Sequence, residues 1–312
     1  MSKIFDCFCY SGERIIDLRL SLLKNKVDYF IVGESEIDFK GNLKNRHFKI
    51  SRYPDLKDKI IYLNFKKEEF SDCKNAWDIE AKSRNLLMKG LGAANDNDII
   101  LLSDCDEIFN PEKIQLSNNT FNLYEQINFR FYGNYLNIYH PLWTKAVSFP
   151  MHKLKKFSLW DIHCLHRDGY RKKKFTNETV NKIQYGGWHF SYLGGYEEIK
   201  KKFNQFHNAF IGRKNIPNIN KKNLIEKKIQ FGVDLLNFNH FWNVVENYHL
   251  GNKEIKYWFC KNKLILKKKS YNYNIDSLIN SQKKRSYIMI RLLNIYLFIR
   301  KKIVGFYLDN LI

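Results

Sequence analysis

The stretch NDNDIILLSDCDEI, residues 95–108, constrains this chain more than any other. A polar turn leads into four aliphatic residues, Ile99 to Leu102, and the run ends in Asp104, Asp106 and Glu107. The aliphatic part reads as a buried strand. Three carboxylates within four residues repel one another unless a cation or water compensates them. Two readings follow: a divalent metal at the strand end, or an ordinary solvated terminus.

The sequence before this strand alternates between short apolar runs and longer amphipathic ones. KIFDCFCY (3–10), VDYFIVGES (27–35) and KIIYLNF (59–65) read as strands. Glu13 to Asn25 and Asn75 to Leu91 read as helices, the second with Trp77, Ala81, Leu86 and Leu87 on its core side and Gly90 and Gly92 at its stop. Such alternation predicts a mostly parallel sheet with helices on its faces, and ligands in such sheets gather at the carboxyl ends of the strands. Glu34 and the pair Asp104 and Asp106 would then share one rim. Beyond residue 118 the pattern changes. NLYEQINFRFYGNYLNIYH (122–140) alternates like antiparallel strands, 141–185 is basic and irregular, YGGWHFSYLGG (185–195) reads as a glycine-rich hinge, and a helix follows from Tyr196 to His207. The segment 217–262 reads as helical.

Composition narrows the class. With 312 residues, 44% hydrophobic and 16% aromatic, the chain is long and apolar enough for a folded core and is not a disordered polymer. Fifteen Gly and five Pro leave little room for collagen-like, Pro-rich or linker-like segments. The net charge of +21 favours an anionic partner: nucleic acid, membrane surface or phosphorylated substrate. Six scattered cysteines form no framework spacing, and reduced thiols are expected. The first sixteen residues contain no long apolar core of a secretory signal, and no run approaches the ~20 apolar residues of a spanning helix.

Three constellations carry chemistry. Asp104-Cys105-Asp106 is a DxD triplet, and two carboxylates so spaced suit Mg²⁺ or Mn²⁺ shared with the phosphates of a substrate. Glu107 is either a further ligand or the partner of a nearby lysine. In Gly186-Gly187-Trp188-His189-Phe190-Ser191 the glycines permit close backbone approach and a neutral His could complete a metal site; a tight turn with a core Trp is the alternative. Asp161, His163, Cys164 and His166 have a spacing that matches no standard zinc finger.

Taken in order, these pieces resemble glycosyltransferase family 17. The resemblance runs through Glu13, Asp17 and Arg19 in SGERIIDLRL, Glu34 and Ser35 in VDYFIVGES, Gly41, Trp77 and Arg84 in WDIEAKSRN, and Asp98, Asp104, Asp106, Glu107 and Ile108. It closes with Gly187, Trp188, His189, Ser191, Glu197 and Lys202 in GGWHFSYLGGYEEIKKK. It covers roughly residues 3–210. The resemblance implies a GT-A-like fold (a Rossmann-like mixed sheet flanked by helices) over 1–250, a nucleotide-sugar donor, UDP-N-acetylglucosamine in the eukaryotic members, and inversion at the sugar carbon. It also implies Mn²⁺ or Mg²⁺ at Asp104, Asp106 and His189. Donor contacts are expected from Glu34, Arg84, Asp104, Trp188, His189 and Lys202. Glu197 is the first candidate for the general base that an inverting transfer requires, with Asp161 and Glu107 behind it. The carboxyl-terminal third is unlike the family, so acceptor identity does not carry over.

Residues 251–312 form a helical, basic extension in this reading, with 14 Lys or Arg against 3 acidic residues. Within it, 283–302 places a short apolar run between basic clusters, which suits an interfacial helix on an anionic membrane or a helix docked on the core. The expected location is cytoplasmic, peripheral at the inner membrane face in the first case, with a glycan or glycolipid acceptor. Two other classes fit parts of the sequence: a metal-dependent phosphohydrolase through the DxD triplet, and a basic nucleic-acid binder through the charge, although no nucleic-acid motif is present.

Overall fold

The two most apolar runs of the amino-terminal half, IFDCFC and IILL, lie side by side at the centre of the sheet. The structure, a computed structural model, describes residues 2–116, 119–138, 140–206, 220–232, 235, 242–246, 252–265 and 276. In chain order the elements are β1 (Ile4–Cys9), α1 (Ile16–Leu23), β2 (Tyr29–Ser35), β3 (Ile60–Phe65), α2 (Ala76–Leu86), β4 (Ile99–Leu102), β5 (Glu107–Phe109), β6 (Phe121–Arg130), β7 (Tyr135–Asn137) and β8 (Leu142–Pro150). There follow α3 (Leu159–His163), α4 (Asp168–Lys174), β9 (Val180–Ser191), α5 (Tyr196–Phe206), α6 (Lys222–Gln230), β10 (Trp242–Val244) and α7 (Lys253–Lys261). The architecture is mixed α/β.

The chain divides into two compact units. The first comprises Met1–Ile127, Trp143–His189 and Gln205–Ile211. Its strands run β3-β2-β1-β4-β8-β6. β1 pairs in parallel with β2 and with β4, β2 in parallel with β3, and β4 antiparallel with β8, Leu102 facing Val147. The parallel part follows the alternation read from the sequence, because these strands are mostly apolar and need cover on both faces. Its core gathers Phe5, Ile31, Phe65, Leu87, Ile100, Leu102, Phe121, Phe149 and Phe157. Each such burial stabilises by roughly 1.5–3 kcal/mol.

The second unit comprises Asn128–Leu142, Phe190–Asn204 and Gly212–Ile312. In it β7 pairs antiparallel with β10 and with the end of β6, as the alternation of 122–140 predicts. Phe131, Tyr135, Ile199, Phe203, Ile225 and Trp242 form its core. The segment 283–302 and most of 251–312 lie outside the described residues, so the expected basic extension does too. No described helix is long and apolar enough to cross a membrane.

Three local expectations are corrected. The region 141–185, read as irregular, contains β8, α3, α4 and the start of β9. The glycine-rich stretch at 185–191 is the end of strand β9 instead of a hinge. Helix α2 starts on Asn75, whose side chain accepts from the N–H groups of Trp77 and Asp78, and it buries Ala76, Ile79, Ser83 and Arg84, whereas Trp77 is 50% exposed. That face follows the i, i+3, i+7 rows from Ala76, and Trp77 falls one step off it.

Candidate active site

Strand β4 delivers the acidic triplet to the carboxyl end of the parallel strands, and what fixes its conformation is an arginine from α1. Arg19 is fully buried, and its Nε donates to Asp6 Oδ2 at 2.8 Å. Its Nη2 reaches Ser103 Oγ at 2.8 Å, and its Nη1 reaches the carbonyls of Asp104 and Glu107 at 2.7 and 3.1 Å. The turn is closed from within as well: Glu107 N–H donates to Asp104 O at 3.0 Å, and Asp104 N–H to Glu107 Oε2 at 2.9 Å. Asp98 anchors the other end of the strand by accepting from Lys3 N–H and Asn95 N–H, both at 2.8 Å.

The two aspartates are thereby aimed differently. Asp104 is the more open, and its carboxylate is held from two sides: Arg84 Nη2 of α2 on Oδ1, and Lys145 Nζ of β8 on Oδ2 at 3.0 Å. Burial alone would raise its pKa, but Arg84 and Lys145 hold it well below the usual carboxylate range. Asp106 is buried and faces His189 of β9, Oδ1 to Nε2 at 3.9 Å. This meeting rests on the antiparallel pairing of β5 with β9, in which Glu107 opposes His189 and Phe109 opposes Gly187. Gly187 has φ of +151°, and a Cβ there would sit 2.0 Å from the Ile108 carbonyl oxygen. The close approach these glycines allow is to a neighbouring strand.

Glu107 is wholly buried, and both its oxygens are engaged, Oε2 by Asp104 N–H and Oε1 by Trp143 Nε1 at 2.6 Å. Burial, with the Asp104 carboxylate beside it, raises its pKa to about 7. A carboxyl so enclosed orients its neighbours and has no open oxygen for a substrate proton. Trp143 stacks on His189 with ring centroids 4.7 Å apart and planes at 22°. Trp143 and Lys145, on β8, were not legible as site residues; the alternation of large and small residues along LWTKAVSFP was the available signal.

Arg84 stands out for what its guanidinium lacks. Its side chain is 5% exposed, and Nη2 carries the bonds to Asp104 and to Glu80 Oε1, while Nε and Nη1 are buried with no hydrogen-bond partner among the described residues. Leaving such donors unmade costs about 1–3 kcal/mol each. Arg84, Ser83 and Glu80 line a small cleft together with Cys9, Tyr10 and Ser11 at the end of β1, and Gly33 and Ser35 on β2. Burial pushes the Cys9 thiol up to about 12, so it stays protonated and is no nucleophile.

The other expected residues are placed as follows. Glu34 is buried at the end of β2, where it accepts from His47 N–H, Phe48 N–H and Tyr62 Oη at 2.8–3.0 Å and so orders the loop after β2. Trp188 is a core side chain on β9. Asp161 closes a capping box with Ser158 at the start of α3 and is held by Tyr170 and Lys174. Burial alone would raise its pKa, but the bonds from Tyr170 and Ser158 hold it below the usual range, which makes it a weak base. Glu197 and Lys202 lie in the second unit on α5, Glu197 exposed on the first turn and Lys202 with its Nζ 4.9 Å from the Tyr192 ring centre.

The residues fit a divalent ion on one side only. Asp104 is already neutralised by two cations. Asp106 and His189 offer one oxygen and one nitrogen at a separation that bonds of about 2.1 Å to a shared ion would span. Among the described residues, no group of three or more His, Cys, Asp or Glu is arranged to hold a metal by itself. Two protein donors with the remainder supplied by water and phosphate is the pattern of ions such as Mg²⁺.

A family model described as Glycosyltransferase family 17 matches residues 1–273. No curated protein matches the chain in sequence. Among solved structures, the inositol-1-phosphate CTP transferase from T. maritima superposes over 68% of this chain and 97% of its own, at 14% identity and a TM-score of 0.37. A superposition that loose bears on neither fold nor activity.

Proposed function

The chain belongs to glycosyltransferase family 17, and from that premise we propose that it is a metal-dependent, inverting enzyme of GT-A-like fold that transfers N-acetylglucosamine or a similar hexose from a UDP-sugar to a glycan. That it is a glycosyltransferase sets aside the phosphohydrolase and the nucleic-acid binder, which rested on the triplet and the charge alone. The observation that carries the finer reading is the division of labour at the acidic turn: Asp106 and His189 face one another, while Asp104 gathers Lys145 and Arg84, the last of which also lines the cleft.

In this reading the donor lies over the carboxyl ends of β1 and β2, and Arg84 turns the two nitrogens that have no partner among the described residues to the diphosphate. Lys145 is a further phosphate contact. Asp106 and His189 would hold Mn²⁺ or Mg²⁺, and that ion would supply positive charge to the diphosphate of the donor. A general base takes the proton from the acceptor hydroxyl as that oxygen attacks the anomeric carbon; Glu197, which is exposed, stays the first candidate for it, since Glu107 is enclosed and Asp161 is engaged in a cap. Glu107 positions Trp143 and the turn. The acceptor is a lipid-linked glycan presented at an anionic cytoplasmic membrane face, with 283–302 as the contact, a reading supported by the basic clusters of that segment.

Asp106→Ala is expected to abolish transfer in the presence of Mn²⁺ while leaving the melting temperature within a few degrees of the wild type, because Asp104 and Glu107 still complete the turn. Activity that survives EDTA would sink the metal role. Glu197→Gln is expected to lower turnover by about 10²–10⁴-fold with donor binding retained; an unchanged rate removes Glu197 as the base. A thermal-shift screen of nucleotide sugars with Mn²⁺ identifies the donor.

A further inference from the structure

Trp143 is a large apolar side chain that the fold holds in place and yet leaves 36% exposed. Three restraints fix it. It lies on β8; its Nε1 donates to the buried Glu107 at 2.6 Å; and one side of the indole lies against the His189 ring. An indole pinned at its polar end and backed on one side has little rotamer freedom left to lose on binding a ligand. Trp143 and Lys145 are two residues apart on one strand, so they project to the same side and are separated by about 7 Å along it. Lys145 bonds Asp104 at the position proposed for the donor diphosphate. One sugar ring spans about that step from a diphosphate.

We propose that the exposed part of Trp143 is the platform on which the transferred pyranose of the donor stacks. A pyranose carries a flat apolar patch of C–H groups on one face and hydroxyls around its edge. An aromatic ring takes the first, and polar groups around it take the second. Trp143 thereby sets specificity: it selects sugars with an unbroken C–H face, and the Glu107 bond fixes the tilt of the ring. This inference rests on the nucleotide-sugar reading above.

The test compares each nucleotide sugar with its bare nucleotide, using the full chain in Mn²⁺ and calorimetric titration. The pairs are UDP-N-acetylglucosamine with UDP, GDP-mannose with GDP, and dTDP-glucose with dTDP. For the pair that binds wild type, Trp143→Ala is expected to weaken the nucleotide sugar about tenfold more than the bare nucleotide. Trp143→Phe, which keeps a ring without the bond to Glu107, is expected to fall between, and it serves as the test should the alanine variant fail to fold. Wild-type tryptophan emission should shift with the nucleotide sugar and not with the bare nucleotide. If the variants lose no affinity that depends on the sugar, the platform is overturned. If wild type binds neither member of any pair, the nucleotide-sugar reading fails and takes this inference with it.

Discussion

The first unit contains two buried arginines that pair with aspartates at or beside the same acidic turn, and they are built to opposite specifications. Arg19, opposite Asp6, uses all three of its nitrogens: carboxylate, hydroxyl and backbone carbonyls account for them. Arg84, opposite Asp104, spends one nitrogen on two carboxylates and leaves Nε and Nη1 without partners among the described residues. A buried charge is tolerated when its hydrogen bonds are complete, and an incomplete one is a standing penalty that a ligand can relieve. The comparison teaches that burial and pairing alone do not separate a structural ion pair from a binding one; the count of unmade bonds does.

The largest effect is expected where the pair is complete. Arg19→Met should destabilise the first unit by about 3–5 kcal/mol, because it strands the buried Asp6 carboxylate and releases the carbonyls of the 104–107 turn. Urea unfolding measures this, and a midpoint equal to wild type would mean that the clamp is dispensable. Arg84→Met should cost no more than about 1 kcal/mol, since Lys145 still pairs with Asp104 and two unmade bonds vanish with the guanidinium. The same variant should bind the nucleotide donor roughly 10- to 100-fold more weakly, the worth of one charged hydrogen bond or two. A strongly destabilised variant with normal donor affinity would reverse the roles assigned to the two arginines.

The smallest effect concerns the histidines beside Arg84. His163 is buried, stacks on Trp160 and lies 3.9 Å from Glu80. Burial, then the charges of Arg84 and Lys145, push its pKa well below the usual 6.5, and burial takes His166 down to about 4. Both stay neutral in the folded chain while the unfolded chain takes up protons below 6.5. Their contribution to stability is therefore present above pH 6.5 and is lost as the pH falls towards 4. His163→Phe should flatten that loss without changing stability at pH 8 by more than about 1 kcal/mol. Melting curves at both pH values decide it, and an unchanged acid slope would remove His163 from the account.

Much of this was legible in the sequence, and the parts that were not have a common cause. The parallel strands and their order of appearance followed from apolar runs, and the acidic strand end was visible as a local cluster. The glycines of GGWHFS were read as a hinge, because their reason for being there, the Ile108 carbonyl, is some eighty residues away in the chain. Trp77 was assigned to the core from its type, while the rows of α2 put it outside. Glu34 looked like a ligand contact at a strand tip until the backbone N–H groups of His47 and Phe48 were found on it.

By itself the sequence determined where the carboxylates stand and that strand β4 would carry them to the rim of a sheet, since adjacency along the chain and apolar patterning are enough for that. Only the tertiary structure decided what each carboxylate is for. Charge compensation and hydrogen-bond completion act through space, over the few ångströms between Asp104 and its partners Arg84 and Lys145, or between Asp106 and His189. Which groups come that close depends on strand order and register, which place β8 against β4 and β9 against β5. No spacing in the sequence encodes that meeting.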